Sequence, residues 1–204
     1  MTTATTTTFG GLTIHHDHRV LVPRPWTEDQ SRWAAELSAT TPAGPALELC
    51  TGAGHIGLLL ARLSGRQVVA VDLDPVAGGF ARRNAEAAGL AERFDVRVGP
   101  LDRVLLDEER FGLVVADPPW VPRDQTSRFP DDPLLAIDGG DDGLDVARSC
   151  LEVVRRHLLP GGSLVLQLGS VAQAEVLGAE LPAELRAREV RTCTGGVLLH
   201  VSAD

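Results

Sequence analysis

The segment Glu48-Leu49-Cys50-Thr51-Gly52-Ala53-Gly54-His55-Ile56-Gly57 ends an apolar run, turns on glycines and opens an amphipathic stretch. Gly52, Gly54 and Gly57 stand at GxGxxG spacing, and Asp72 closes the next apolar run. Missing side chains let backbone approach a ligand closely, and a carboxylate after the second strand can accept hydrogen bonds from ribose hydroxyls. NAD, FAD and S-adenosylmethionine sites share this pattern; a turn needed only for chain reversal is the plainer alternative. Asp117-Pro118-Pro119-Trp120 directly follows the apolar run Leu113–Ala116. Dinucleotide oxidoreductases have no use for it, whereas transfer of a methyl group to a planar nitrogen does. An amide or aryl NH₂ has its lone pair delocalised and is a poor nucleophile. The Asp117 side chain and the Pro118 carbonyl can each take one N–H bond, which fixes the nitrogen and turns its lone pair toward an electrophile. Trp120 offers a flat face for stacking. A strand-ending turn with a packing tryptophan is the competing reading. With an ordinary pKa of about 4, Asp117 is ionised throughout pH 6 to 8 and acts as acceptor and orienter, not as a general base.

The elements that must hold these residues alternate. A hairpin-like segment comes first, with Leu12, Ile14, Val20 and Val22 about a polar centre, inside an extension over 9–26. A helix is predicted from Thr27, whose hydroxyl caps it while Gln30 reaches back, the capping-box spacing. Strands are predicted at 46–49, 68–72, 94–98, 113–116 and 163–168, with terminal strands near 185–191 and 197–201. Helices are predicted at 55–63, 75–88, 144–158 and 171–181, with an irregular stretch over 118–141. Short apolar strands alternating with amphipathic helices predict an α/β fold, a doubly wound, mostly parallel seven-stranded sheet with helices on both faces. Ligands bind such sheets at the carboxyl ends of the strands, where the informative residues fall.

These residues resemble the class I S-adenosylmethionine-dependent methyltransferases, and within them the HemK/PrmC type, which methylates a glutamine side-chain amide in peptide-chain release factors. The family's NPPY signature corresponds to Asp117-Pro118-Pro119-Trp120. Val20-Leu21-Val22-Pro23-Arg24-Pro25-Trp26-Thr27-Glu28 is similar to its VLIPRPxTE segment, and 133–145 is similar to its ALxGGxDGL loop. The resemblance implies S-adenosylmethionine as cofactor, with Thr51, Gly52, Ala53 and Gly54 around the methionine moiety, Asp72 on the ribose with Leu73 beside it, and Leu101 near the adenine. Asp117 would touch both cofactor and acceptor, and Asp117, Pro118, Pro119 and Trp120 would form the catalytic set. Four departures stand out: Asp117 for asparagine, Trp120 for tyrosine, Cys50 for glycine, and Pro100 where an acidic residue often contacts adenine. The family's helical N-terminal domain has no counterpart in the sequence. DPPW is also a motif of adenine amino-group methyltransferases. The expected acceptor is therefore a protein glutamine, with a small-molecule or nucleobase amino group as the alternative. An NAD-dependent reductase would leave DPPW unexplained, and a non-catalytic cofactor-binding subunit would have no need of it.

Composition narrows the partners. The chain has 204 residues and a net charge of −9, and all 19 basic residues are arginine. Without lysine there is no Schiff-base chemistry and no Walker-type phosphate grip; without tyrosine there is no catalytic phenol. The acidic balance disfavours extended nucleic-acid binding. Three distant cysteines argue for a reducing, cytoplasmic setting over a disulfide framework, and no apolar run reaches membrane-spanning length. Residues 1–8 are expected to form a disordered threonine-rich tail, and 9–204 a single domain of undetermined oligomeric state. His15-His16-Asp17-His18 reads as a surface hairpin tip, not a metal cluster, and no metal is expected. His55 reads as a packing residue on the cofactor side. Asp138, Asp141, Asp142 and Asp145 read as turn and helix-start residues, and Arg155 and Arg156 as cations at a helix C-terminus.

Overall fold

The computed structural model describes residues 5–204. Strands β1 (Thr5–Phe9) and β2 (Leu12–His16) form an antiparallel hairpin. Gly10 and Gly11 turn it at φ 53° and 80°, values that side-chain-bearing residues rarely adopt. This corrects the expected tail from Thr5 onward; residues 1–4 lie outside the described residues. Threonines are β-branched and suit an extended chain, but here they stay largely exposed and only Phe9 is buried, so no apolar alternation announces the strand. The hairpin tip is also corrected. His15 and His16 lie in β2, and His16 and Asp17 are buried. His16 Nε2 meets Thr7 Oγ1 at 2.8 Å, and Arg19 holds the Asp17 carboxylate at 2.6 Å and lowers its pKa to about 2. Residues 17–24 form no second strand.

Helix α1 (Glu28–Leu37) begins after a 3₁₀ turn, Pro25–Thr27. The capping box does not form. Thr27 Oγ1 donates to the Arg24 carbonyl instead, and Gln30 is fully buried and donates to the carbonyls of Ala116 and Val165 at 2.8 and 2.9 Å. A side chain committed to carbonyls of two neighbouring strands cannot also reach back to its own helix start.

Then follow β3 (Ala46–Leu49), α2 (His55–Ser64), β4 (Val68–Asp72), α3 (Pro75–Ala87), β5 (Phe94–Val98) and β6 (Phe111–Ala116). The stretch expected to be irregular contains a 3₁₀ turn, Arg123–Arg128, and a one-turn helix α4 (Leu134–Ile137). The chain closes with α5 (Asp145–His157), β7 (Leu158–Leu168), α6 (Val171–Glu180), β8 (Leu185–Cys193) and β9 (Gly196–Ala203). Leu158, expected to end the helix, already belongs to β7. Its register slips past Pro160-Gly161-Gly162 between the pairs Phe111–Leu158 and Leu113–Ser163.

The sheet order is β5-β4-β3-β6-β7-β9-β8, with β9 antiparallel to both neighbours and the other pairings parallel. Alternate strand residues feed two cores. Ala46, Val68, Ala70, Leu113 and Val115 face α1, α2 and α3, where Phe9, Leu12 and Ile14 of the hairpin join them. Leu47, Leu49, Val69, Val71, Val114 and Ala116 face α5 and α6. Strands buried on both faces must be apolar at every position, and this is why they read as continuous runs. Strand order reverses between β3 and β6, and the chain opens a crevice beyond their carboxyl ends.

Candidate functional site

A cavity of about 590 Å³ occupies that crevice. Its floor is the loop from β3 to α2. Cys50 there has φ 61°, a left-handed conformation in a residue that is not glycine, at the position where the resembled family carries glycine. Gly52 lines the cavity at φ 53°, with no atom within 4 Å of where a Cβ would stand, so the empty space above it is what its missing side chain leaves. Gly57 answers a different need: a Cβ there would meet Glu48 Oε2 at 2.2 Å and the Phe94 ring at 2.9 Å.

Glu48 is the buried fastener of this loop. Its Oε1 accepts the Gly57 amide at 2.8 Å, and its Oε2 bonds the Thr51 hydroxyl. Burial pushes its pKa up to about 8, against the pull of those two hydrogen bonds. Asp72, at the end of β4, lines the cavity and is also tied to backbone. Gly52 N donates to Oδ2 at 2.7 Å and Asp74 N to Oδ1 at 2.9 Å, while burial raises its pKa.

Asp117 lines the opposite side, one residue beyond β6, where its amide donates to the Leu49 carbonyl. Desolvation raises its pKa to about 7, opposed only by the charge of Arg24. This corrects the expectation of an ordinary carboxylate, for the reason that no hydrogen bond to the carboxylate offsets its burial. Arg24 is itself held by Asp132 at 2.6 and 2.8 Å.

Of the predicted residues, Thr51, Gly52, Asp72, Leu73, Leu101, Asp117 and Pro119 meet in the cavity wall. Ala53 and Gly54 are buried beneath it, with Ala81 3.1 Å from a Cβ built on Gly54. Pro118 and Trp120 are not among the lining residues. The Trp120 ring lies over Gly169, its Cε3 2.4 Å from a Cβ built there, and Gln173 Nε2 donates to its carbonyl at 2.9 Å. Sequence reasoning assigned no role to Arg19, Val20, Leu21 and Asp102, or to Pro133, Leu135 and Ala136, all of which line the cavity. The VLVPRPWTE stretch singled out Val20 and Leu21, but nothing local says that the chain folds back over the glycine loop. His55 lines the cavity as well, and burial holds its pKa down at about 3. Asp138 and Asp142 accept the amides of Gly140 and Leu144 at 2.9 and 3.0 Å, as turn residues do. Among the described residues, no group of three or more histidine, cysteine or acidic side chains could hold a metal, and no helix is long and apolar enough to cross a membrane.

The residues present fit S-adenosylmethionine: a glycine that opens space, a carboxylate after β4 with lone pairs to spare, and apolar Leu73, Pro100 and Leu101 for a flat base. Asp72 and Asp117 also place two acidic groups in the wall whose ionised forms a cationic ligand would favour.

A family model described as methyltransferase domain matches residues 46–129. The chain is 31% identical over 175 residues to the release factor glutamine methyltransferase of Clostridium acetobutylicum, covering 82% of this chain and 61% of that one. It is 35% identical over 172 residues to the ribosomal protein uL3 glutamine methyltransferase of Bradyrhizobium diazoefficiens, covering 78% and 54%. The chain thus spans about three fifths of the length of the curated relatives it matches. Among solved structures, the human hMettl16 catalytic domain in complex with MAT2A 3′UTR hairpin 1 shares the fold, with a TM-score of 0.76 and 19% identity over 95% of this chain and 75% of that one.

Proposed function

Because this chain belongs to the class I S-adenosylmethionine-dependent methyltransferases of the HemK/PrmC type, we propose that it transfers a methyl group to the side-chain amide nitrogen of a glutamine in a protein. Asp117 carries this reading. It is a carboxylate at the cavity wall with no side-chain hydrogen bond among the described residues, one residue before a Pro118 carbonyl that is likewise unpaired there. Such a pair of acceptors suits an NH₂ group with two protons to give. The cofactor, when bound, supplies a methyl group on a sulfonium centre.

The chain's residues do the rest. Asp72 is already oriented by two backbone amides and would hold the ribose hydroxyls; Leu73, Pro100 and Leu101 would enclose the adenine. Asp117 and Pro118 would each take one N–H of the acceptor amide, drawing its nitrogen out of conjugation and fixing it for in-line attack. Asp117 holds and orients the N–H during attack, a role its ionised form fills, and the proton, made acidic only once the nitrogen has bonded to the methyl carbon, then passes to water. The glutamine methyltransferases among the relatives support a protein acceptor, and the −9 charge supports it over nucleic acid.

The test is incubation with methyl-labelled cofactor and purified release factors and ribosomal protein uL3, followed by mass spectrometry of the labelled residue. Label on a glutamine amide is the expected result. Label that appears only in nucleic acid or in small molecules from a lysate would replace the protein acceptor with the amino-group alternative.

A further inference from the structure

The transfer step leaves one part of the cavity wall unused. His55 opens α2, is nine-tenths buried and lines the cavity, yet its Nδ1 has no hydrogen-bond partner among the described residues. Its ring meets the Phe9 ring edge-on at 4.8 Å, an apolar contact that does nothing for a ring nitrogen. A side chain at the first helical position leans back past the helix N-terminus, toward the glycine loop and the space above it. The same turn holds unspent donors. Gly57 N is taken by Glu48, whereas the amides of His55 and Ile56 have no partner among the described residues, and both residues line the cavity. An orphaned buried N–H is rarer in proteins than an orphaned acceptor, which leaves Nδ1 bare and puts the ring proton on Nε2.

We propose that His55 Nε2–H, together with the first amides of α2, binds the α-carboxylate at the methionine end of S-adenosylmethionine. This rests on the cofactor reading above. A carboxylate at a helix N-terminus gains from unpaired amides and from the helix dipole, and a neutral imidazole adds a third donor without a buried charge. The contact selects the amino-acid end of the ligand, independently of the adenosyl group held by Asp72 and its neighbours.

Calorimetry with S-adenosylmethionine and with its decarboxylated form, which keeps the amine, tests the assignment on the whole chain. The wild-type protein should bind the carboxylate-bearing ligand at least about tenfold more tightly, about 1.4 kcal/mol. His55→Ala should erase most of that preference while leaving affinity for the decarboxylated ligand unchanged. His55→Gln, whose amide nitrogen can stand near Nε2, should restore it. Unliganded melting of each variant confirms folding, and the wild-type comparison stands without any variant. Equal weakening of both ligands by His55→Ala, a preference that survives that substitution, or no preference in the wild type would each overturn the carboxylate contact. Binding of neither ligand by the wild type would overturn the cofactor reading and this inference together.

Discussion

Asp117 shows how one exchange relative to a resembled family can be weighed. If its role is to accept an N–H and orient the nitrogen, an asparagine carbonyl fills it. Asp117→Asn should then keep substantial activity, whereas Asp117→Ala should lose at least about a hundredfold, about 2.7 kcal/mol of barrier. Initial rates at saturating cofactor would show this, and an asparagine variant as inactive as alanine would make the charge itself essential. Because burial raises the carboxyl pKa to about 7, the ionised acceptor is lost as pH falls through that value. The wild-type rate should fall from pH 8 to pH 6, and the Asp117→Asn rate should stay flat. Glu48 poses the complementary question of stability. Its pKa in the fold is about 8 against an ordinary carboxylate value near 4 in the unfolded chain, so between these values the unfolded state releases a proton that the fold retains. That contribution to stability declines as pH rises from about 4 to 8. Urea titrations should show the decline in the wild type and its removal in Glu48→Gln, with Glu48→Ala costing about 2 kcal/mol by leaving Thr51 and Gly57 unpaired.

Elements were legible in proportion to how much of their burial is written into local pattern. β3, β4 and β6 are apolar on both faces, and α2 follows glycines that can do little else, so their places and the positions of Asp72 and Asp117 could be read directly. Of the hairpin, Leu12 and Ile14 of β2 were legible but β1 was not, because its outward threonines carry no pattern and its one buried residue, Phe9, is covered from elsewhere in the chain. Gln30 was misread for a similar reason: a glutamine three residues after a threonine has a local use, and only the folded sheet supplies the two carbonyls that outbid it. Cavity-lining Arg19, Val20 and Leu21 were missed because their place depends on the hairpin. Phe9→Ala removes a fully buried ring that also touches His55. It should cost about 3–5 kcal/mol, read by chemical denaturation, and should weaken cofactor affinity as well. Loss of stability with affinity intact would separate the hairpin from the site.

At the level of the whole molecule, the charge and the cavity speak to different partners. S-adenosylhomocysteine at one hundred times its dissociation constant should stabilise the fold by about 2.7 kcal/mol, a rise in melting temperature that NAD should not reproduce. With 19 arginines against 28 acidic residues, any RNA or DNA affinity should be weak and only shallowly dependent on salt. A steep loss of binding between low and moderate salt would bring the nucleobase acceptor forward. The fully buried amide of Asn84 lies on α3, donating to the carbonyls of His15 and Ala53 and accepting the His15 amide, across 69 and 31 residues of chain. Gln30 reaches across 86 and 135 residues to the end of β6 and to Val165 within β7. Closing loops of that length has an entropic cost that must be met before the contacts form, and such contacts are characteristically late in folding. The glycine loop and the strand end bearing Asp117 therefore take their final positions only when nearly every other element is in place. In a refolding experiment, the ability to bind cofactor should return with the slowest phase, after most of the helical signal has recovered, so that a chain able to bind it is one that has finished folding.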